Sequence, residues 1–115
     1  MTDPTTDLDP EDAKLLTLAR ATARRLGTGS AAAVRDDTGR TYVAGAVELR
    51  SLQLSALQAV VAVALGSGAQ GLEAAVLVTS TGDEVDDRGV LAVRDLGGPA
   101  TPVFLAGPDG PGTRL

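Results

Sequence analysis

Residues 51–79 read SLQLSALQAVVAVALGSGAQGLEAAVLVT, and the reading of this stretch decides the fold. Two organisations compete for it. In one, Ser51 to Leu65 is a helix, Gly66 to Gly71 a loop and Glu73 to Thr79 a strand. In the other, Ala59 to Leu65 is a strand and Gln70 to Val78 a helix. Between them, Gly66-Ser67-Gly68-Ala69-Gln70-Gly71 would be the G-x-G-x-x-G turn that brings backbone up to a pyrophosphate. The residue pattern favours the first. Leu54, Leu57, Val61 and Leu65 recur at helical spacing, and Ala56, Val60 and Ala64 make the segment apolar on almost every side. Ser51 to Leu65 is also long for a strand. The run Val76-Leu77-Val78-Thr79 has the continuous apolar character of a strand at a sheet centre. We read a buried helix followed by a central strand. The glycine string stays as an alternative that needs the opposite order of elements.

Working outward, Ala31 to Arg35 and Arg40 to Val47 are β-capable runs around Asp36-Asp37-Thr38-Gly39, which predicts a hairpin. Gly45 marks a bulge or a close backbone approach. Upstream, Asp9 is a good N-cap, Pro10 fits the first helical position, and Glu11 and Asp12 suit the positive end of the dipole. Leu15, Leu18, Ala19, Thr22 and Leu26 share one face, and Gly27 stops this first helix. Downstream, Asp86 or Asp87 caps a short helix to about Asp95, Gly97-Gly98-Pro99 breaks it, and Pro102 to Ala106 is the last strand. The order α-β-β-α-β-α-β predicts the α/β class, as a three-layer α/β/α sandwich with a mixed sheet. One domain over residues 9–106 is expected between flexible ends. Residues 1–8 are rich in Thr, Asp and Pro. Residues 107–115, from Gly107 to Leu115, are turn-formers expected to make no regular element.

Composition narrows the chemistry. The chain has 115 residues, 43% hydrophobic and 22% charged, which suits one globular domain. It has neither cysteine nor histidine, which excludes disulfides, thiolate catalysis, imidazole acid–base chemistry and any Cys/His zinc site. The net charge is -5 and the only aromatics are Tyr42 and Phe104, a poor basis for binding nucleic acid. No apolar run reaches the roughly 18 residues of a membrane span. The acidic start, Met1 to Asp9, lacks the basic opening of a signal peptide, so a cytoplasmic protein is expected.

Over roughly Ala31 to Gly110, the order of elements and several short runs resemble the cytidine deaminase family. Asp37-Thr38-Gly39-Arg40 resembles the family's first hairpin turn, D-G-R, and Gly45-Ala46-Val47-Glu48 its G-x-N-V-E segment. Leu54-Ser55-Ala56-Leu57-Gln58 resembles L-C-A-E-R at the start of the catalytic helix, and Ala74-Ala75-Val76-Leu77-Val78 the strand after it. Thr101-Pro102-Val103-Phe104-Leu105 resembles T-P-V-I-L, followed as in the family by Asp109-Gly110. The resemblance implies a cytidine deaminase-like fold, shortened at the C-terminus, where the last strand and helix of the small bacterial enzymes have no counterpart. In the family a Cys or His and a cysteine pair hold zinc, and a Glu beside the first ligand shuttles protons. Here the first ligand position is Ser55 and the proton-shuttle position Leu57. P-C-x-x-C matches Asp87-Arg88-Gly89-Val90-Leu91, so Arg88 and Leu91 stand where the cysteines would be. A register shifted by two places Leu57 and Ala59 at the first pair of positions, with the same consequence. The family's ribose-binding Asn matches Ala46, its partner Glu matches Glu48, and the aromatic before the first strand is absent from Gly29-Ser30-Ala31.

The expectation is a catalytically inactive, cytidine deaminase-like protein, without metal or cofactor, that acts as a scaffold or regulatory partner. The alternatives are a nucleoside or nucleotide binding module using the remnant pocket, and a dinucleotide binder through Gly66–Gly71. Three residues are candidates for the remnant pocket. Glu48 would hold a sugar hydroxyl, Ser55 would bond a ligand, and Arg88 would receive a phosphate or carboxylate near a helix start. Each has a plainer reading. Glu48 suits a solvated strand end, Ser55 a cap or a back-bond within its helix, and Arg88 an ion pair with Asp86 or Asp87. The acidic cluster Asp83, Glu84, Asp86 and Asp87 lacks EF-hand spacing and reads as a solvated turn with a cap. The resemblance also implies a homodimer or homotetramer; otherwise an unidentified protein partner covers the open sheet edge. Val60, Val61 and Val63 give the second helix apolar surface for such an assembly. No nucleic-acid and no membrane partner is expected.

Overall fold

The first helix begins where the sequence places its cap. In the computed structural model, which describes residues 8–80 and 85–115, α1 (Pro10–Leu26) starts on Asp9, whose carboxylate accepts the Glu11 N–H at 3.0 Å. It ends on Gly27, at φ 70°, whose N–H reaches back to the carbonyls of Ala23 and Arg24. The buried face is Leu15, Leu16, Ala19, Thr22 and Ala23. That stripe is rotated from the expected one, and Leu18 and Leu26 remain 37% and 43% exposed. The reason lies beneath the helix. The sheet there mixes the small Ala31, Ala33 and Ala74 with Val76, Val78 and Phe104, and Leu15, Leu16, Ala19 and Ala23 are the helix side chains that pack against that surface.

After α1 the chain forms β1 (Ala31–Asp36), β2 (Thr41–Ala44), β3 (Val47–Glu48), β4 (Gln53–Leu54), α2 (Ala56–Gly66) and β5 (Leu72–Val78). It continues through α3 (Asp87–Gly97), β6 (Val103–Ala106) and β7 (Thr113–Arg114). The main sheet has the order β2-β1-β5-β6-β7, parallel only between β5 and β6. It is therefore mixed, and helices cover both faces. Alternation within each strand sorts the core. Ala32, Val34, Ala75, Leu77, Val103 and Leu105 face α2 and α3, whereas Ala31, Ala33, Ala74, Val76, Val78 and Phe104 face α1. This is the three-layer α/β/α sandwich that the pattern predicts. Among the described residues no helix is long and apolar enough to cross a membrane.

The first hairpin is tied by a buried carboxylate. Asp36 is 2% exposed. Its Oδ1 accepts the Thr38 hydroxyl at 2.7 Å and the N–H groups of Thr38 and Arg40 at 2.9 Å, and its Oδ2 accepts the Tyr42 hydroxyl at 3.1 Å. The Thr38 hydroxyl bond does most to hold this carboxyl below its ordinary range; burial opposes it, and the backbone and Tyr42 bonds complete the shift.

Four expectations need correction. The second helix starts at Ala56, not Ser51, because the chain has a better use for the residues before it. Val47–Glu48 pairs antiparallel with Gln53–Leu54, and the Leu49 N–H closes the turn on the Leu52 carbonyl at 2.8 Å. The expected strand Arg40 to Val47 accordingly splits at Gly45 and Ala46. Gly45 does mark a close approach, since a Cβ there would lie 2.5 Å from Leu26 Cδ1. The glycine string is flanked by α2 before and β5 after, the reverse of the dinucleotide arrangement, so that alternative falls.

The tail beyond Ala106 is the fourth correction. Expected to form no regular element, it returns to the sheet, where Thr113 and Arg114 pair with Leu105 and Phe104. Arg20 donates to the carbonyls of Gly107, at 3.1 Å, and Gly110, and the Leu115 N–H donates to Val103 at 2.8 Å. Turn-rich side chains supply little packing, but an open sheet edge and a guanidinium supply hydrogen bonds to backbone, whatever the side chains are. The edge expected to await a partner is thus covered by the chain's own end. At the other terminus, Leu8 packs against the α1-side core, and the rest of the segment expected to be flexible, Met1 to Asp7, lies outside the described residues.

Candidate functional site

The capping box at the start of α2 builds one wall of the site. The Ser55 hydroxyl oxygen accepts the Gln58 N–H at 3.1 Å, while the Gln58 side chain accepts the Ser55 N–H at 2.9 Å. Chain direction turns sharply there, so the hairpin of β3 and β4 stands beside the first turn of α2. The start of α3 packs onto the same turn. Asp86 caps α3, its Oδ1 accepting the Gly89 N–H at 2.9 Å. Its Oδ2 is buried and has no hydrogen-bond partner among the described residues.

Contact between the two helix starts is close. Leu57 is fully buried. A Cβ added to Gly89 would lie 2.5 Å from Leu57 Cβ and 2.2 Å from Asp86 Oδ2. Only a residue without a side chain lets α3 sit this near, so Leu57 and Gly89 together fix the junction.

In front of that junction is an open cavity of about 650 Å³. Glu48, Ser55 and Arg88, the three sequence candidates, all line it. They come from three different elements, β3, the cap of α2 and the first turn of α3, so the fold brings them together. Glu48 and Arg88 are exposed and Ser55 is half-buried. The plain reading of Ser55 holds as well, since it is the cap. Arg88 is in no ion pair with Asp86 or Asp87; the ion pairs among the described residues join Lys14 to Glu11 and Arg35 to Asp12 and Glu73. Leu91 is 63% exposed and is not part of the lining. Asp83 and Glu84, the first half of the acidic cluster, lie outside the described residues.

Sequence reasoning missed Arg50 and Gln53, which also line the cavity. Both sit in the segment assigned to the helix or its approach. The signal that could have found them is the S-x-x-Q capping box at Ser55 and Gln58, which dates the helix start and frees residues 49–54 to form a hairpin beside it.

A second opening, of about 360 Å³, lies at the first hairpin and is lined by Asp36, Thr38, Arg40, Tyr42 and Gln70 among others. Asp36 there collects the Thr38 and Tyr42 hydroxyls and the Arg40 backbone N–H, and the side chains of Asp37, Arg40 and Gln70 also line the opening. Among the described residues no three His, Cys, Asp or Glu side chains gather as a metal-binding group.

A family model described as cytidine deaminase-like matches residues 8–110. No curated protein sequence matches the chain. Among solved structures, cytidine deaminase from Burkholderia pseudomallei is similar at a TM-score of 0.77 and 19% identity, over 90% of each chain. Cytidine deaminase from Mycobacterium leprae is similar at a TM-score of 0.69 and 21% identity, over 92% of this chain and 94% of that one. For cytidine deaminase from Mycobacterium tuberculosis the values are 0.62 and 24%, over 94% and 91%. At these identities the likeness is one of fold.

Proposed function

The chain belongs to the cytidine deaminase-like family, and we propose that it is a catalytically inactive member that works as a scaffold or regulatory partner. The observation that carries this reading is the set of side chains at the family's reactive positions: Ser55, Leu57, Arg88 and Leu91. Zinc needs thiolate, imidazole or carboxylate donors. One hydroxyl, two hydrocarbons and a guanidinium do not fit the ion, and the guanidinium repels it. The Ser55 oxygen is already the cap of α2. Leu57, where the proton carrier would stand, is packed on Gly89, and its hydrocarbon can neither take up nor release a proton. No step of a deamination can be written through these residues.

Incubating the protein with cytidine and excess Zn²⁺ tests the reading. Uridine formation is expected to stay at the level of a control without protein. Turnover clearly above that control overturns it.

A second reading has its own support. The cavity lined by Glu48, Ser55 and Arg88 suits a nucleoside or nucleotide binding module in which the pocket outlived the chemistry. Saturable binding of such a ligand is expected, and its absence removes this reading while leaving the first untouched.

We further propose that the protein self-associates in the cytoplasm as a homodimer or homotetramer. The original ground for it shrinks, because Val60 and Val61 are buried within the domain and only Val63, at 44% exposure, remains outward. Support comes instead from the β3–β4 turn, where Leu49 and Leu52 are 59% and 47% exposed. Light scattering should give a mass above that of the 11.5 kDa chain; a monomer at all concentrations overturns the proposal.

A further inference from the structure

We propose that the cavity in front of the α2–α3 junction takes a phosphorylated pentose, such as a nucleoside 5′-monophosphate, and that Arg50 and Arg88 hold its phosphate. This rests on the binding reading above and deepens it by naming the ligand class.

Charge is the first ground. The chain carries a net charge of -5, yet this cavity is lined by two guanidinium groups against one carboxylate. Positive charge therefore outnumbers negative in this lining, against the sign of the whole chain. Neither Arg50 nor Arg88 is in an ion pair or hydrogen bond with another described residue, although Arg20, Arg35 and Arg94 all are. The side chains of Arg24, Arg25 and Arg114 are likewise without a partner among the described residues; what sets Arg50 and Arg88 apart is that they share one opening with Glu48 and Ser55. A phosphate, which takes guanidinium donors in pairs, is the group such side chains recognise best.

Size and the remaining lining give the second ground. A volume of about 650 Å³ is in the range of small-molecule sites, roughly 300–1,000 Å³. Glu48 supplies a carboxylate that accepts from sugar hydroxyls. Ser55 spends its oxygen as a cap acceptor, and its hydroxyl hydrogen remains a donor. Stacking does not contribute, because Tyr42 and Phe104 are the only aromatics and neither lines the cavity. With no ring to grip a base, affinity must come from the phosphate and the sugar. An uncharged nucleoside leaves both guanidinium groups unused.

Calorimetric titration of the full chain with CMP, ribose 5-phosphate, cytidine and inorganic phosphate separates the contributions. CMP and ribose 5-phosphate are expected to bind saturably, with cytidine and inorganic phosphate each at least about tenfold weaker. The double variant Arg50→Gln/Arg88→Gln should weaken CMP binding by about ten- to a hundredfold, the loss of charge-assisted hydrogen bonds. Arg25→Gln, on the exposed side of α1, should leave it unchanged, and circular dichroism checks that each variant is folded. Raising the salt concentration should weaken CMP binding in the parent protein and much less in the double variant. Cytidine binding as tight as CMP and insensitive to the arginines overturns the phosphate assignment and leaves the nucleoside reading standing. Inorganic phosphate binding as tight as CMP overturns the pentose. Absence of any saturable binding overturns the inference and the binding reading together, and the deamination assay still decides catalytic inactivity separately.

Discussion

Two polar openings among the described residues differ in what their side chains are already doing. At the first hairpin, Asp36 lines an opening but collects the Thr38 and Tyr42 hydroxyls and the Arg40 backbone N–H, so its carboxylate is used up within the turn, with the Asp37, Arg40 and Gln70 side chains around it. In front of the α2–α3 junction, Arg50 and Arg88 face an opening with no partner among the described residues, and behind them Asp86 keeps one buried oxygen unbonded. Both regions hold a carboxylate at a tight turn. Asp36 is saturated and Asp86 half-used. A closed network fixes geometry and gains nothing from a ligand, whereas open donors gain from one. By this criterion Asp36 is scaffold, and the proposed site is where Arg50 and Arg88 stand. Several measurements test whether that division holds.

The largest effect should come from the helix junction beside the site. Leu57 is fully buried at the helix junction, and Leu57→Ala should cost about 2–5 kcal/mol in chemical denaturation. A cost below about 1 kcal/mol would mean the junction is not packed as described. Gly89→Ala forces a methyl group toward Leu57 Cβ and Asp86 Oδ2 and should cost about 1–3 kcal/mol. The added methyl still faces Asp86 Oδ2 in Leu57→Ala/Gly89→Ala, but it also has the space the leucine vacated. The double variant should therefore lose less than the sum of the single losses. Additive losses would show that the two residues do not share a contact.

The hairpin should announce itself through pH. The carboxyl of Asp36 is held below its ordinary value in the folded state, first by the Thr38 hydroxyl. Its stabilisation is therefore complete above the pKa of an unfolded aspartate and is lost as pH falls through the lower folded value. Thermal midpoints followed from about pH 7 to about pH 2 should drop over that acid interval. Asp36→Asn keeps an acceptor for Thr38 and can donate to Tyr42, so it should flatten the acid drop while sparing more stability at neutral pH than Asp36→Ala. An unchanged acid profile in Asp36→Asn would remove Asp36 as its source.

Particular elements show how far the residues alone could carry this picture. The cap of α1 was legible, because Asp9 acts on a residue two places along the chain, whereas Ser55 lies inside the segment whose spacing predicts a helix from Ser51. The central strand was legible too, since Ala74 to Val78 must all be sheltered by helices on two sides, which leaves an apolar run. The tail was not legible. β7 exists through backbone bonds to Phe104 and Leu105, and backbone bonds leave no mark on residue type. Nor was the β3–β4 hairpin, whose two-residue strands are shorter than any period can reveal. That second gap hid Arg50. Glu48, Ser55 and Arg88 could be nominated through family resemblance at matching positions, while Arg50 and Gln53 reach the cavity only because a hairpin folds them there.

The smallest effect separates cap from ligand at Ser55, the one residue that belongs to both halves of the comparison. As a cap, its oxygen satisfies the Gln58 N–H, and Ser55→Ala should cost about 1 kcal/mol of stability, within the usual range of about 0.5–2 kcal/mol. Ser55→Asp restores a capping oxygen, so it should recover most of that loss. The same aspartate brings a negative charge to the cavity that Arg50 and Arg88 line and removes the donor hydrogen. Stability and CMP affinity should therefore move in opposite directions: Ser55→Ala less stable but still binding, Ser55→Asp near parental stability but binding more weakly. If both properties fall together in both variants, Ser55 acts on the ligand only through the helix start it holds. The border between scaffold and site would then run in front of α2, leaving the arginines alone on its outer side.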